Sequence, residues 1–392
     1  MSIKTNYNHT LYASYLGYIT QAIINNFAPL LFLTFQTQYA LPLEQITLLV
    51  TVNFLVQLCV DALSAKFVDR IGYRRCIVGA HLLCTLGLTG LCFFPGWFGN
   101  PYWGLMTAVV LYAVGGGLIE VLISPIVEAC PTDRKAAAMS LLHSFYCWGH
   151  MFVVLATTAF FALAGVNRWP LLAVLWALVP LCNAFYFSQV PIARLNEDGQ
   201  SMSLRELFGS KLFWVLALLM VCAGASEQGM SQWASAFAES GLGVSKTLGD
   251  LFGPCLFAGT MGLSRLLYSK LSERLPLVPC MLACGLLCIA SYLLAALCAL
   301  PALGLLGCAL CGFSVGLFWP GTFSLASARC PRGGTALFAL LALAGDLGCS
   351  SGPTAVGFVA NATGGALRMG LLAAIAFPLL LIAGLGLLKK TT

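Results

Sequence analysis

Residues 65–75 read AKFVDRIGYRR and separate two long apolar stretches of the chain. Five of these eleven residues are charged, whereas charged residues make up only 9% of the whole sequence. Gly72 allows the backbone to turn tightly, because glycine has no Cβ. The stretch is therefore predicted to be a short polar loop that joins two apolar helices.

Apolar stretches like those beside this loop recur along the whole chain. Its 392 residues are 59% hydrophobic with a mean hydropathy of +0.90, whereas soluble domains carry about 25% charged residues. A membrane-spanning helix needs about 20 apolar residues. This pattern predicts an all-α integral membrane protein with twelve transmembrane helices. The predicted helices 1 to 12 are 11–34, 45–67, 76–95, 102–126, 137–164, 169–188, 212–237, 248–270, 278–299, 303–327, 336–360 and 367–388.

Positive charge predicts how these helices cross the membrane, because cytoplasmic loops are rich in lysine and arginine. With both termini in the cytoplasm, only Arg168, Lys246 and Arg368 lie outside, and Arg265 lies within a helix. The predicted location is therefore the plasma (inner) membrane. The cytoplasmic basic residues are Lys4, Lys66, Arg70, Arg74, Arg75, Arg134, Lys135, Arg194, Arg205, Lys211, Lys270, Arg274, Arg329, Arg332, Lys389 and Lys390.

The longest polar connection divides the helices into two sets of six. We predict an N-terminal bundle at 1–190, a cytoplasmic linker at 191–211 and a C-terminal bundle at 212–392. Within the linker, Ser203 followed by Glu206 fits a capping box, which predicts a short surface helix.

The two halves also share sequence features. At an offset of 200, Cys130-Pro131 matches Cys330-Pro331, and at an offset of 204, Asp69-Arg70 matches Glu273-Arg274. These matches indicate a duplicated six-helix unit. Transporters built in this way bind their solute near the bilayer midplane, between the repeats.

Five ionisable side chains interrupt the apolar helices: Asp61, Glu120, Glu227, Arg265 and Asp346. A charge at the bilayer centre costs at least about 2.5–3.5 kcal/mol, so such residues usually face a water-filled cavity or pair with one another. A carboxyl group in a low-dielectric cavity, or a histidine, can exchange a proton near neutral pH. The alternative for each residue is a structural hydrogen bond between helices. The predicted proton-coupling residues are Glu120, Glu227, Asp346 and His143.

Small residues surround one of these acids. Asp346 lies in the sequence Gly345-Asp346-Leu347-Gly348 on predicted helix 11. Glycines let neighbouring helices approach closely in a membrane. The pattern therefore predicts a close contact between helix 11 and another helix.

The loop at 65–75 resembles the signature between helices 2 and 3 of the major facilitator superfamily, Gly-x-x-x-Asp-Arg-x-Gly-Arg-Lys. Ala65 replaces its first glycine, and Tyr73 replaces one basic residue. The resemblance implies a pseudo-symmetric 6+6 fold whose halves rock about a central site, with this loop latching one state. The alternative is that its basic residues only enforce topology. The predicted gating residues are Asp69, Arg70, Gly72, Arg74, Arg75, their second copy Glu273 and Arg274, and the interface residues Asp61 and Arg265.

In that superfamily helices 1, 4, 7 and 10 line the central cavity, and the polar residues of this chain concentrate there. The sequence around His143, and the spacing of Glu227 and Trp233, resemble the fucose/galactose:proton symporter branch. Members of that branch carry one acid on helix 1, where this chain has asparagine, and a second on helix 4, matched by Glu120. The predicted solute-binding residues are Tyr18, Gln21, Asn25, Asn26, Ser124, Tyr146, Ser231, Gln232, Trp233, Trp319 and Ser324.

These features predict a secondary active transporter that moves a small polar solute, such as a sugar or related metabolite, together with protons. The alternatives are a drug or metabolite exporter of the same fold, with a more apolar cavity, and a transport-inactive membrane sensor. No enzyme activity, cofactor or metal is expected, because no phosphate-binding loop, HExxH or Gly-x-Ser-x-Gly motif occurs. The expected partners are the solute, protons and the lipid bilayer, with no nucleic acid, and the chain is expected to be a monomer.

Overall fold

A computed structural model describes residues 3–131, 135–193, 202–271, 275–330 and 333–388. Within these ranges it does not describe the side chains of residues 65–67, 69, 128, 135–140, 269 and 334–336. The described residues are almost entirely helical and include no β-strand. Ten helices of this part are long and apolar enough to cross a membrane by length and composition. The structure therefore confirms the prediction of an all-α membrane fold.

The first compact unit, Met1–Glu197, contains six long helices. A turn of 3₁₀-helix at Ala28–Leu31 and a helix at Phe32–Tyr39 continue the first of them. Pro29 lies in this turn, and a proline cannot donate the hydrogen bond that would continue an α-helix. The six helices are α1 (Tyr7–Asn26), α2 (Leu43–Ile71), α3 (Tyr73–Trp97), α4 (Pro101–Glu128), α5 (Lys135–Ala164) and α6 (Trp169–Gln189).

The second compact unit, Asp198–Thr392, begins with a short linker helix, Leu204–Gly209. Two π-helical turns, Phe237–Gly241 and Leu251–Cys255, interrupt the chain between its first two long helices. The long helices are α7 (Lys211–Ser231), α8 (Leu256–Leu271), α9 (Leu277–Leu297), α10 (Pro301–Val315, continuing as Phe318–Arg329), α11 (Gly334–Ala362) and α12 (Leu367–Ala374 and Ala376–Leu388).

The linker helix has the capping box that the sequence predicts. The Glu206 backbone N–H donates to Ser203 Oγ over 3.3 Å, and the Ser203 backbone N–H donates to Glu206 Oε2 over 2.8 Å. Each hydrogen bond satisfies a backbone donor that the first turn of a helix leaves without a partner. The linker is therefore partly helical.

Glycines set the contact between α7 and α11. A Cβ added at Gly348 would overlap the backbone carbonyl of Val221, and one at Gly352 would overlap that of Ala225. Gly224 on α7 makes the reciprocal contact, because a Cβ there would overlap the carbonyl of Gly345. The two backbones therefore touch directly, which confirms the close packing predicted around Asp346.

Candidate functional site

Polar side chains of α1 and α2 form a hydrogen-bonded network inside the first unit. Gln57 Nε2 donates to Asn25 Oδ1 over 3.0 Å and to Asn53 Oδ1 over 3.1 Å. Gln57 Oε1 accepts a hydrogen bond from Gln21 Nε2 over 2.9 Å, and Asn53 Nδ2 donates to Asn25 Oδ1 over 3.2 Å. None of the four residues is more than 5% exposed. These mutual hydrogen bonds therefore replace the ones that water would make.

Half of this network was missed by the sequence analysis. Gln21 and Asn25 were predicted on the cavity helix, whereas Asn53 and Gln57 on α2 were not. The signal was nevertheless present, because Asn53, Gln57 and Asp61 follow one another at intervals of four residues. Residues spaced in this way lie on one face of a helix. A polar face on an otherwise apolar helix indicates a buried polar contact.

Glu120 on α4 joins the network through α1. Gln21 Nε2, which contacts Gln57, also donates to Glu120 Oε2 over 3.1 Å. The other amide atom of Gln21, Oε1, is buried and accepts no hydrogen bond from the described residues. A buried carbonyl oxygen without a donor costs about 1–3 kcal/mol.

Asp61 lies one turn beyond Gln57 on the same face of α2. Its carboxylate oxygen lies within 4.8 Å of a carboxylate oxygen of Glu120. Gly117 on α4 permits this approach, because a Cβ there would lie 2.9 Å from Val60 Cβ and 3.0 Å from the carbonyl oxygen of Gln57. The structure thus brings Asp61, which the sequence analysis assigned to a moving interface, next to the acid of α4.

An aromatic group lies beside Ser124, one turn beyond Glu120 on α4. The Tyr18 hydroxyl and Ser124 Oγ are 3.3 Å apart, and the rings of Tyr18 and His143 are 5.5 Å apart. The structure therefore brings together three predicted site residues from α1, α4 and α5. Tyr146, also on α5, is half-buried. Asn26 is not part of this group, because its side chain donates to a carbonyl of its own helix.

In the second unit, Glu227 on α7 pairs with Arg265 on α8. Glu227 Oε2 and Arg265 Nη2 are 3.7 Å apart, and the Glu227 side chain is 11% exposed. Arg265 Nε also donates to the carbonyl oxygen of Gly316 over 3.1 Å. Gly316 lies where α10 is interrupted. The embedded arginine thus has an acidic partner on a neighbouring helix of its own unit.

The remaining polar residues of α7 extend this pair. Gln228 Nε2 lies 3.4 Å from Glu227 Oε1, and Gln228 Oε1 accepts a hydrogen bond from Gln232 Nε2 over 3.0 Å. Ser231 is buried beside them. Trp233 is only 1% exposed, and its Nε1 donates to the carbonyl oxygen of Pro353 on α11 over 2.9 Å. The indole ring of Trp233, a predicted solute-binding residue, is therefore enclosed by packing.

Trp319 on α10 lies against α11. A Cβ added at Gly345 would overlap the ring of Trp319, which is half-buried. The next residue, Asp346, is buried. Ser324 is exposed and donates to the carbonyl oxygen of Pro320 in its own helix over 2.9 Å. The glycine in front of Asp346 therefore makes room for the aromatic ring.

The polar loop predicted at 65–75 is shorter in the structure, because α2 continues to Ile71 and α3 begins at Tyr73. The connection is a turn at Gly72, the glycine at which a tight turn was predicted. Gly72 has φ +95°, a conformation that side chains other than glycine rarely adopt. Arg70, Arg74 and Arg75 are all exposed. Arg74 donates to the backbone carbonyls of three residues at the end of α6: Phe187 (2.9 Å), Ser188 (2.8 Å) and Val190 (2.8 Å). The predicted gating side chain of Asp69, and residues Glu273 and Arg274, lie outside what the structure describes.

Replacing Arg74 by glutamine is expected to lower the melting temperature of the purified protein by several degrees. A helix leaves its last carbonyls without partners, and a cation there is favourable. Hydrogen bonds to charged groups are worth about 1.5–3 kcal/mol. Arg75→Gln removes the same charge from an exposed neighbour and is expected to change the melting temperature little. Equal shifts for the two variants would contradict this role for Arg74.

The two units together define a polytopic helical membrane protein in which ionisable side chains are held inside apolar bundles. The chain matches the sequence profile described as "Major Facilitator Superfamily" over residues 14–353. Comparison with curated proteins gave no significant match. The chain belongs to the Major Facilitator Superfamily and is a membrane transporter, as its loop signature predicted.

Solved structures share this fold. One is a bacterial homologue of the human lysosomal transporter Spinster, in an inward-facing and occupied conformation. The two sequences are 16% identical, and the match covers 99% of this chain and 98% of the homologue, with a TM-score of 0.80. Another is a mutant form of the nucleoside transporter NupG, at 12% identity, with 97% and 99% coverage and a TM-score of 0.77. At these identities the likeness concerns the fold alone.

Proposed function

We propose that the chain is a secondary transporter that couples the movement of a small polar solute to protons through Glu120 and Glu227. The observation that carries the proposal is the contact of each acid with hydrogen-bonding side chains inside an apolar bundle. Glu120 accepts a hydrogen bond from Gln21, and Glu227 lies beside Arg265. Such a contact changes when the acid gains a proton, so protonation can alter the packing of the helices. His143 and Asp346 are further proton carriers in this proposal.

The solute is proposed to be rich in hydroxyl or amide groups. Tyr18 and Ser124 offer hydroxyls, and the α1–α2 network offers carboxamides, all of which both donate and accept hydrogen bonds. Trp319, half-buried on α10, supplies a face on which a ring can stack. Sugars and nucleosides fit this chemistry, and NupG, which shares the fold, is a nucleoside transporter.

The alternative function is a drug or metabolite exporter of the same fold. The buried amides of α1 and α2 favour a polar solute instead. An apolar ligand that separated these amides would offer them no hydrogen bonds in return. A ligand screen read as a rise in melting temperature would identify the solute, because a ligand that binds only the folded state stabilises it. Sugars, nucleosides and apolar drugs form the three arms of the screen.

Transport is proposed to proceed by alternating access in the inner membrane, with both termini in the cytoplasm. The loop at 65–75 and its second copy are proposed to latch one conformation. The turn at Gly72 and the hydrogen bonds of Arg74 to the end of α6 support this role. A labelled cysteine introduced in the linker, at Ser203, is expected to be accessible only from the cytoplasmic side.

Replacing Glu120 by glutamine is expected to reduce pH-gradient-driven uptake into liposomes at least tenfold. Glutamine keeps the size of the side chain but cannot exchange a proton. Solute exchange without a gradient needs no net proton movement and is expected to survive, so comparing uptake with exchange separates coupling from binding. The matched control, Glu44→Gln, alters an exposed acid of α2 and is expected to keep both activities. Unchanged gradient-driven uptake by the Glu120 variant would exclude coupling through this residue.

A further inference from the structure

We propose that the linker helix, Leu204–Gly209, and the first turn of α7 form a docking surface for acidic phospholipids of the surrounding bilayer leaflet. The surface consists of three exposed apolar side chains and two exposed basic ones: Leu204, Phe208, Trp214, Arg205 and Lys211. The proposal concerns the lipid around the protein, so it is independent of the solute and of proton coupling.

This surface lies where the chain enters the membrane. The stretch Lys211–Gly241, which begins with α7, is long and apolar enough to cross a bilayer. The linker helix ends at Gly209, two residues before α7 begins. The helix and Trp214, in the first turn of α7, therefore lie at the level of the lipid headgroups. Tryptophan is enriched at this level of membrane proteins.

Contacts within the second unit hold the linker helix in place. Leu207 is buried, and the Sδ atom of Met202, just before the helix, lies 3.6 Å from Cys330 Sγ at the end of α10. Trp214 Nε1 donates to the carbonyl oxygen of Phe208 over 2.9 Å, which joins the helix to α7. Because the indole N–H has this partner inside the protein, the ring can contact acyl chains without losing a hydrogen bond.

Apolar side chains of this anchored segment remain uncovered. Leu204 is 55% exposed, Phe208 46% and Trp214 57%. Leu204 and Phe208 are four residues apart, so they lie on one face of the helix. The rings of Phe208 and Trp214 are 6.0 Å apart, which extends this face onto α7. An amphipathic helix of this kind lies in the membrane interface, with its apolar face at the boundary between headgroups and acyl chains.

Basic side chains beside the apolar face determine which headgroup binds. Arg205 lies on the helix and Lys211 just after it, and both are exposed. Their stems can cover apolar surface while their charged ends reach lipid phosphates. The carboxylate of Glu206 is turned towards the start of the helix, where the backbone N–H and Oγ of Ser203 both donate to it over 2.8 Å. Two basic residues against one acid leave residues 202–214 with a net positive charge, which attracts acidic lipids.

The test measures which lipid lies beside Trp214. Purified protein is placed in phosphatidylcholine vesicles that contain a quencher lipid with brominated acyl chains, either phosphatidylglycerol or phosphatidylcholine. The contribution of Trp214 is the difference in emission between the wild type and the Trp214→Phe variant. Brominated phosphatidylglycerol is expected to reach half-maximal quenching at a mole fraction about fivefold lower than brominated phosphatidylcholine does.

High salt is expected to reduce this difference, because salt screens exposed charges. Equal half-maximal mole fractions for the two lipids would overturn the proposal. If neither lipid quenches Trp214, protein or water covers the surface and the proposal is wrong.

Variants assign the lipid preference to the basic residues. Arg205→Gln/Lys211→Gln keeps the apolar face and is expected to be quenched equally by both lipids. Arg168→Gln removes an exposed basic residue of the first unit and is expected to keep the wild-type preference. A wild-type preference in the double variant would overturn the proposal. The salt dependence of the wild-type protein decides the case in which a variant does not fold.

Discussion

Replacing Glu227 by glutamine is expected to abolish pH-gradient-driven uptake and to lower the free energy of unfolding by about 2 kcal/mol. Removing one partner of a buried ion pair leaves the other charge uncompensated, which costs about 3–5 kcal/mol when both are fully buried. The Arg265 side chain is 25% exposed and lies 3.7 Å away, so a smaller cost is expected. Arg265→Gln is expected to destabilise the protein by a similar amount.

The double variant Glu227→Gln/Arg265→Gln separates stability from coupling. With both charges removed, the melting temperature is expected to return close to that of the wild type, because no buried charge remains in this pair. Uptake driven by a pH gradient is expected to stay absent, since glutamine cannot carry a proton. A double variant that transports normally would show that Glu227 serves only to neutralise Arg265.

An acid of the same unit provides the control for this cycle. Glu239 lies 3.2 Å from Lys246 near the end of α7, and its side chain is 23% exposed. Glu239→Gln leaves Lys246 with a second acidic partner, Asp250, whose carboxylate lies 3.1 Å away. Less destabilisation is therefore expected. Gradient-driven uptake by this variant is expected to remain at the wild-type rate. A loss of uptake in Glu239→Gln equal to that in Glu227→Gln would mean that removing any charge in this unit stops transport.

Replacing Gly348 by alanine is expected to destabilise the second unit by about 3 kcal/mol, near the upper end of the usual cost of overpacking. The added methyl group would overlap the backbone carbonyl of Val221 on α7, which cannot move aside as a flexible side chain can. The two helices would have to separate, and α7 carries Glu227. The expected result is a melting temperature lowered by several degrees, together with slower uptake.

Gly386→Ala is the control for this substitution. A Cβ at Gly386 on α12 meets no atom within 4 Å, so alanine fits there without displacing a neighbour. Alanine also favours the helix over glycine by about 1 kcal/mol. The melting temperature of Gly386→Ala is expected to match or exceed that of the wild type. A wild-type melting temperature for Gly348→Ala would contradict the close contact of α7 and α11.

The members of the α1–α2 hydrogen-bonded network were only partly predictable from the sequence. The predicted cavity helices supplied Gln21, Asn25 and Glu120, because polar residues in an apolar helix are visible in a sequence. Asn53 and Gln57 were overlooked because α2 was not expected to face the cavity. Which amides bond to one another depends on how the helices are rotated and how deeply each is inserted, and no single helix specifies either.

The contacts that charged and aromatic side chains make between helices were also not predictable from the sequence. Asp61 and Arg265 are also 204 positions apart, and both were predicted to lie at the moving interface, whereas Arg265 pairs with Glu227 of its own unit. A repeat relates equivalent positions in two bundles but does not place them in contact. The hydrogen bond from Trp233 to Pro353 was also not predictable, because its acceptor is a backbone carbonyl, which every residue has.

An all-helical membrane transporter could be predicted without a structure, because the length of an apolar segment, the loop signature and the scarcity of charge are local properties. The turn at Gly72 and the cap of the linker helix were equally predictable, because each depends on residues a few positions apart. The approach of Asp61 to Glu120 and of Arg265 to Glu227 became visible only with the packed helices. Those contacts depend on glycines such as Gly117, which fix how closely two helices pack and hence which charged side chains meet.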